Sequence, residues 1–406
     1  MNKLNNSIEF RKKDFFYPLI LLLLYSLISA IYKIMDNQLM MAMNIPILLL
    51  LFKQRNKSSN DHFFLQGHDF VFLFFLFYLA FQSIVTLLNP QTNLTGLMIG
   101  FFLDIIPFMG FFYSRKINFD LWIKVILIIA VIHLIFGIVS YPPFGLNGLL
   151  GPMADLFRDQ IAFGRMSSVS GSLAFGNLMM YACIIAFFYK KWLLPFLLIG
   201  LIFSAQRSSW IGFVFCILLY LFQVFRDGSF KKIISTLVTI IFSFYIIVIT
   251  ANFFAIDFEF LDSRLSRLSE AGGERTGQWL NGLNNFSINP IGAGIGQVGQ
   301  VAARFTKDNT YLWVADGDYF RIMSEYGLGG VFFFCFFFLS FFMIIVFTSL
   351  KSKKEMTVIS LVGASFIQMI GSNIGEFFFN NFIYWTIIGF FFSILNTKKL
   401  NVINRL

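Results

Sequence analysis

Cysteine, histidine and charge are all scarce in this 406-residue chain, and each scarcity removes a class of function. The three cysteines, Cys183, Cys216 and Cys335, fall inside apolar runs, where they read as small packing residues and supply neither a disulfide framework nor a metal cluster. His62, His68 and His133 are too few and too dispersed for a zinc site. Charged residues make up 13% of the chain against 57% hydrophobic ones, with a mean hydropathy of +0.75, which excludes a water-soluble globule. The apolar runs, Phe332 to Phe342 for example, do not alternate with polar residues, which excludes a membrane β-barrel. There is no internal repeat, low-complexity linker or soluble domain. No small-residue cleavage pattern follows the apolar run from Phe15, so that run is expected to be retained as a first span.

What is present is a series of apolar runs near the length that crosses about 30 Å of hydrocarbon as a helix. Twelve spans are expected, at 15–32, 38–52, 69–88, 94–113, 121–140, 172–189, 192–205, 208–225, 233–254, 328–350, 356–372 and 377–395. The second and seventh are short enough to be re-entrant or half-buried. The fold class is therefore an all-α polytopic membrane protein, one membrane domain over 1–406. Two outward segments are expected, a smaller loop at 141–171 and a large loop at 255–327 between the ninth and tenth spans. Within the large loop, Phe260 to Leu268 and Gln278 to Phe286 read as short amphipathic helices, separated by the breakers Gly272-Gly273 and Asn289-Pro290.

The net charge of +10 is a topological signal and carries no nucleic-acid meaning. With both termini cytoplasmic, inner segments collect 21 of the 31 Lys and Arg residues, and only five of those 21 are Arg. Eight of the other ten are Arg, among them Arg165, Arg207, Arg264, Arg267, Arg275 and Arg321. Lys and Arg serve topology equally, so this bias needs a chemical reason. The guanidinium offers a planar fork of donors that grips phosphate or carboxylate in two places. Pairing with loop carboxylates such as Asp262 and Glu270 is the structural alternative for any single arginine.

Gly294-Ile-Gly296-Gln-Val-Gly299 satisfies a G-x-G-x-x-G pattern, yet it follows Asn289-Pro290 and leads into no long helix. A tight turn that lets backbone approach closely is expected there, and dinucleotide binding is not. Asp316-Gly317-Asp318 could hold a divalent metal or simply cap the helix that follows. Asp104 lies mid-span near Pro107, where a carboxylate costs at least about 2.5 kcal/mol, so it must face a polar interior or an aqueous cavity. His133 reads as a hydrogen-bonded interior histidine. Arg207 has serines and a glutamine around it in Ser204-Ala-Gln-Arg207-Ser208-Ser209, which suits an anion pocket better than a bare interface anchor.

Several pieces in this order resemble the bacterial O-antigen polymerase (Wzy) and O-antigen ligase superfamily. They are Gly164-Arg165 with Gly171 and Asn177, Ser204 to Ser208, Arg275 with Trp279, Asn289-Pro290-Ile-Gly292-Ala-Gly294, and Asp316-Gly-Asp-Tyr-Phe-Arg-Ile-Met-Ser-Glu325-Tyr-Gly327. Ligases of the superfamily carry a His-Asn pair where this chain has Asp316-Gly317, and aspartate there is similar to the polymerases. The resemblance implies oligosaccharide repeat units on undecaprenyl pyrophosphate as substrates, at the outer face of the inner membrane. It also suggests a protein partner that sets chain length. The chemistry needs charge stabilisation of the departing diphosphate and deprotonation of a sugar hydroxyl. Arg165, Arg207 and Arg275 are expected to provide the first, then Arg321, with Arg264, Arg267, Tyr319 and Glu325 around the substrate. Asp316 is the expected base and Asp318 the second choice. Single displacement implies inversion, with no cofactor and no metal. The alternatives are ligation of finished glycan to lipid A core and non-enzymatic flipping of the lipid-linked oligosaccharide.

Overall fold

A computed structural model of the protein describes residues 12–35, 43–53, 67–88, 94–141, 144, 165–168, 172–228, 230–253, 268–299, 317–347, 350 and 352–403. Among these, the longer regular elements are all α-helical: α1 Lys12–Met35, α2 Asn44–Lys53, α3 Gly67–Leu88, α4 Leu94–Tyr113, α5 Phe119–Ser140, α6 Ser172–Tyr189, α7 Leu194–Phe203, α8 Arg207–Arg226, α9 Phe230–Phe253, α10 Leu268–Ile288, α11 Asp318–Phe347, α12 Lys353–Gln368 and α13 Phe378–Ile403. Seven of them, α3, α4, α5, α8, α9, α11 and α13, are long and apolar enough to cross a membrane. The chain is an all-α polytopic membrane protein. At 10 residues each, α2 and α7 reach only about 15 Å, half the hydrocarbon thickness.

Burial sorts the helices into an inner and an outer set. Ala174 to Phe187 of α6, Met356 to Phe366 of α12 and Phe378 to Phe392 of α13 are buried on every side. A helix apolar all round and enclosed in this way is the centre of a bundle. By contrast, α3 presents Phe70, Phe74, Phe77 and Phe81 outward at helical spacing, and α9 presents Leu237, Ile241, Phe244 and Val248. Between the two sets Phe75 stacks on Phe333 and Phe72 on Phe111, both at 3.8 Å.

The bundle has two chemically different ends. One is rich in lysine. There Asp69, at the start of α3, is gripped through both oxygens by Arg115, just past α4. Close by, Lys354 lies 5.4 Å over the Phe119 ring, and a capping box of Ser352 and Glu355 opens α12. The other end gathers the turn after α7, the segments 289–299 and 317–326, and the 369–377 connection.

At that second end α11 is broken. Gly327 has φ 58° and ψ −144°, a conformation that disfavours any side chain, so Asp318 to Tyr326 form a short helix set off from the long span. A broken helix inside a bundle must find other partners for its freed carbonyls. Each of the last three is satisfied. Ser324 O accepts from Ala293 N at 2.8 Å, Glu325 O from Gly294 N at 3.1 Å and from Gln82 Nε2 at 2.8 Å, and Tyr326 O from Tyr78 Oη at 2.5 Å. The glycine-rich turn therefore does bring backbone into close approach, and its partner is the chain's own helix.

One sequence expectation fails. Gly272-Gly273 do not break the loop, because α10 runs through them from Leu268 to Ile288. Each glycine costs about 1 kcal/mol relative to alanine. Packing of the C-terminal half offsets it: Trp279 stacks on Phe320 at 5.3 Å and Ser324 Oγ donates to Gly282 O at 2.9 Å. Asn289-Pro290 does end that helix, as expected. Most of the expected Phe260 to Leu268 helix lies outside the described residues.

Candidate active site

The short helix Asp318 to Tyr326 carries Asp318, Arg321 and Glu325 at spacings of three and four, which puts all three on one face. Arg321 is the hub. Its Nε donates to Asp318 Oδ1 at 3.0 Å and its Nη1 to Glu325 Oε2 at 2.5 Å. The same guanidinium reaches Asp104 on α4, at 3.3 Å from Oδ1 and 3.5 Å from Oδ2. All four side chains are buried. One cation thus faces three carboxylates, and two backbone donors supply what one guanidinium cannot: Gly375 N to Asp318 Oδ2 at 2.9 Å, and Gly296 N to Glu325 Oε1.

Asp104 sits in a π-helical turn, Phe101–Ile105, directly before Pro107. Proline has no N–H to give to the carbonyl four residues back, here that of Leu103. Asn381 of α13 donates to that carbonyl instead, at 2.6 Å. A cavity of about 30 Å³ lies against the cluster, lined by Asp104, Asp318, Arg321, Tyr326, Asn381 and Tyr384 among others. A space of that volume accommodates one or two water molecules.

Above this buried cluster, segments from distant parts of the chain meet around residues 369–377. Asp318 N donates to Met369 O at 2.9 Å, and Gln206 Nε2 donates to Ser372 Oγ at 3.1 Å. A methyl group on Gly371 would lie 3.3 Å from Arg275 Nη1 and 3.7 Å from Ser208 Cβ. Trp279, one turn along α10 from Arg275, brings its indole N to 3.0 Å from where a Cβ on Gly317 would be. Arg207 is the first residue of α8, whose N-cap Gln206 makes no side-chain cap. The turn before it holds Ala205 at φ 51°, the one described non-glycine residue with positive φ, the kind of strain that clusters at functional sites.

Of the residues expected from sequence, Asp318, Tyr319, Arg321 and Glu325 belong to the buried helix, with Tyr319 Oη donating to Phe366 O at 2.7 Å. Arg207 and Arg275 are half-buried at the mouth. Arg165 is half-buried too, on a segment pinned by Met166 N to Phe203 O at 2.7 Å and by Ser168 Oγ to His133 Nδ1 at 3.0 Å. His133 is hydrogen-bonded at its other nitrogen as well, to Ser26 Oγ at 2.6 Å. Asp316, Arg264 and Arg267 lie outside the described residues. Sequence reasoning missed Gly375 and Asn381, while Gly296 lies in the turn expected to approach closely; only the proline near Asp104 signalled that a donor such as Asn381 was required.

Residues 192–335 match the O-antigen ligase family. That match supports the resemblance to the O-antigen polymerase and ligase superfamily. The matched stretch runs from the start of α7 into the middle of α11 and so contains Arg207, Arg275, the glycine-rich turn and Asp318 to Glu325. Arg165, Asp104, Gly375 and Asn381 fall outside it, so the superfamily segment is completed by residues from both flanks. No curated protein matches the chain.

Proposed function

We propose that the protein is a glycan polymerase that joins undecaprenyl-pyrophosphate-linked oligosaccharides at the outer face of the bacterial inner membrane. The observation that carries this reading is the approach of Arg275 and of Ser208, in the first turn of α8 next to Arg207, to the same residue, Gly371. A helix start presents unbonded N–H groups and a positive dipole end, and two guanidiniums beside it suit a diphosphate. Arg321 holds three buried carboxylates, so its role is to frame the site, and the half-buried Arg207, Arg275 and Arg165 are the arginines offered to the anion. The lysine-rich end is cytoplasmic by the positive-inside rule, with both termini on that side, which turns the arginine mouth outward. Asp316 is the base that takes the proton of the incoming sugar hydroxyl, with Asp318 second, because both oxygens of Asp318 already accept hydrogen bonds. A single displacement of the lipid diphosphate inverts the anomeric centre, and arginine neutralisation of the leaving group requires no metal. A chain-length regulator is the protein partner that fits this activity.

The test uses purified protein and a chemically defined undecaprenyl-pyrophosphate oligosaccharide, with product length read on a gel. A ladder that persists in chelator is expected, and Asp316→Asn should abolish it. Ligation is favoured by the family description of residues 192–335. Its signature is transfer of one finished glycan to a lipid A core acceptor with no ladder. Substrate bound without either product overturns the transferase reading.

A further inference from the structure

Asn381 occupies a place that the transfer chemistry alone does not explain. Its side-chain nitrogen donates to Leu103 O at 2.6 Å and reaches Gly375 O at 3.4 Å. Leu103 immediately precedes Asp104. Gly375 is the residue whose N–H holds Asp318. One amide therefore lies between the backbone supports of two of the three carboxylates that grip Arg321.

The helix geometry explains why this matters. A π-turn inserts one extra residue, and at 3.6 residues per turn one residue is about 100° of rotation. Through that rotation the outer part of α4 turns Gly100 and Asp104 towards Gly296 and Arg321. The inner part turns Phe108 and Phe111 into the aromatic core. Pro107 keeps the turn open by lacking an N–H, and the Leu103 carbonyl it leaves over is taken by Asn381. We infer that Asn381 is a positioning residue: together with Pro107 it holds the π-turn that delivers Asp104 to Arg321, and thereby sets Asp318 and the Gly296 turn at the mouth. This rests on the transferase reading only where activity is the readout.

The test compares Asn381→Leu, Pro107→Ala and the double variant by thermal unfolding, by hydrogen exchange over 318–326 and by the ladder assay. Asn381→Leu leaves a buried carbonyl without its donor, which should lower Tm by about 2–4 °C. Pro107→Ala restores an N–H, so the double variant should recover Tm because α4 can satisfy Leu103 within itself. Closing the π-turn withdraws Asp104, so both variants carrying Pro107→Ala should exchange faster over 318–326. Both should also lose about a hundredfold in transfer rate, the usual effect of an ångström-scale displacement. Full recovery of exchange protection and rate in the double variant would reduce Asn381 to backbone repair and overturn the inference. So would an unchanged Tm in Asn381→Leu. Should the native protein make no ladder, the proposed reaction fails, while the Tm and exchange results still decide the role of Asn381.

Discussion

Arg115 and Arg321 hold opposite ends of this bundle, and their surroundings differ in burial and in the carboxylates each gathers. At the lysine-rich end Arg115 grips Asp69 through both carboxylate oxygens between two helix ends and lies 5.4 Å over the Phe111 ring. At the other end Arg321 meets Asp104, Asp318 and Glu325, drawn from two helices, and backbone donors from two further segments complete the set. A one-to-one pair is sufficient to staple helices. Three buried carboxylates around one guanidinium are costly inside a bundle of this kind, which marks the cluster as the frame of the proposed site. The first is architecture and the second frames the proposed site.

The comparison breaks first at Arg321. Arg321→Ala strands three buried carboxylates, and losing one partner of a buried ion pair costs about 3–5 kcal/mol. Both the folded fraction and the ladder should fall together, which thermal unfolding and the gel assay measure in parallel. Arg321→Lys should not restore them, because a point charge cannot reach three carboxylates in a fork. A stable, active Arg321→Ala protein would mean that the cluster frames nothing.

Arg275 should behave in the opposite sense. It is half-buried at the mouth, so Arg275→Ala is expected to leave Tm unchanged and to reduce transfer by about two to three orders of magnitude, the usual loss for one well-placed donor. Single-turnover rates with defined substrate check this. A Tm loss equal to that of Arg321→Ala would move Arg275 from the substrate to the frame.

How much of this could be read from the chain depends on which forces are local. All twelve expected spans have a helical counterpart within the described residues, because crossing hydrocarbon demands contiguous apolar residues and that demand is written in one dimension. The start of α11 was harder to see. Asp318, Arg321, Ser324 and Glu325 read as an aqueous loop by hydropathy, yet they are buried: the first two and Glu325 pair with one another, and Ser324 donates to Gly282 O. Asp104 and Arg321 are 217 positions apart, and no local pattern joins them. Arginine bias points to the end of the molecule where Arg207, Arg275 and Arg321 lie. It does not separate the fully buried Arg321 from the half-buried Arg165, Arg207 and Arg275.

Asp69→Asn sharpens the other side of the comparison with a smaller effect. Arg115 is 17% exposed, so water can partly replace the lost charge, and about 1–2 kcal/mol of stability is expected to go. Transfer per folded molecule should be unaltered. A rate change without a stability change would show that the lysine-rich end communicates with the site and would remove the distinction between staple and frame.

The smallest expected effect lies inside the cavity beside Arg321. The Tyr384 hydroxyl is buried with no hydrogen-bond partner among the described residues. Removing an unsatisfied buried hydroxyl while keeping the ring is close to neutral or slightly stabilising. Tyr384→Phe should therefore match the native protein in unfolding free energy to within about 1 kcal/mol and in transfer rate to within a few-fold. If it does, the cavity is a packing gap and the chemistry stays at the mouth with Arg275 and Arg207. A hundredfold loss with an unchanged Tm would place a reacting group in the cavity itself, and the frame around Arg321 would then be part of the reaction.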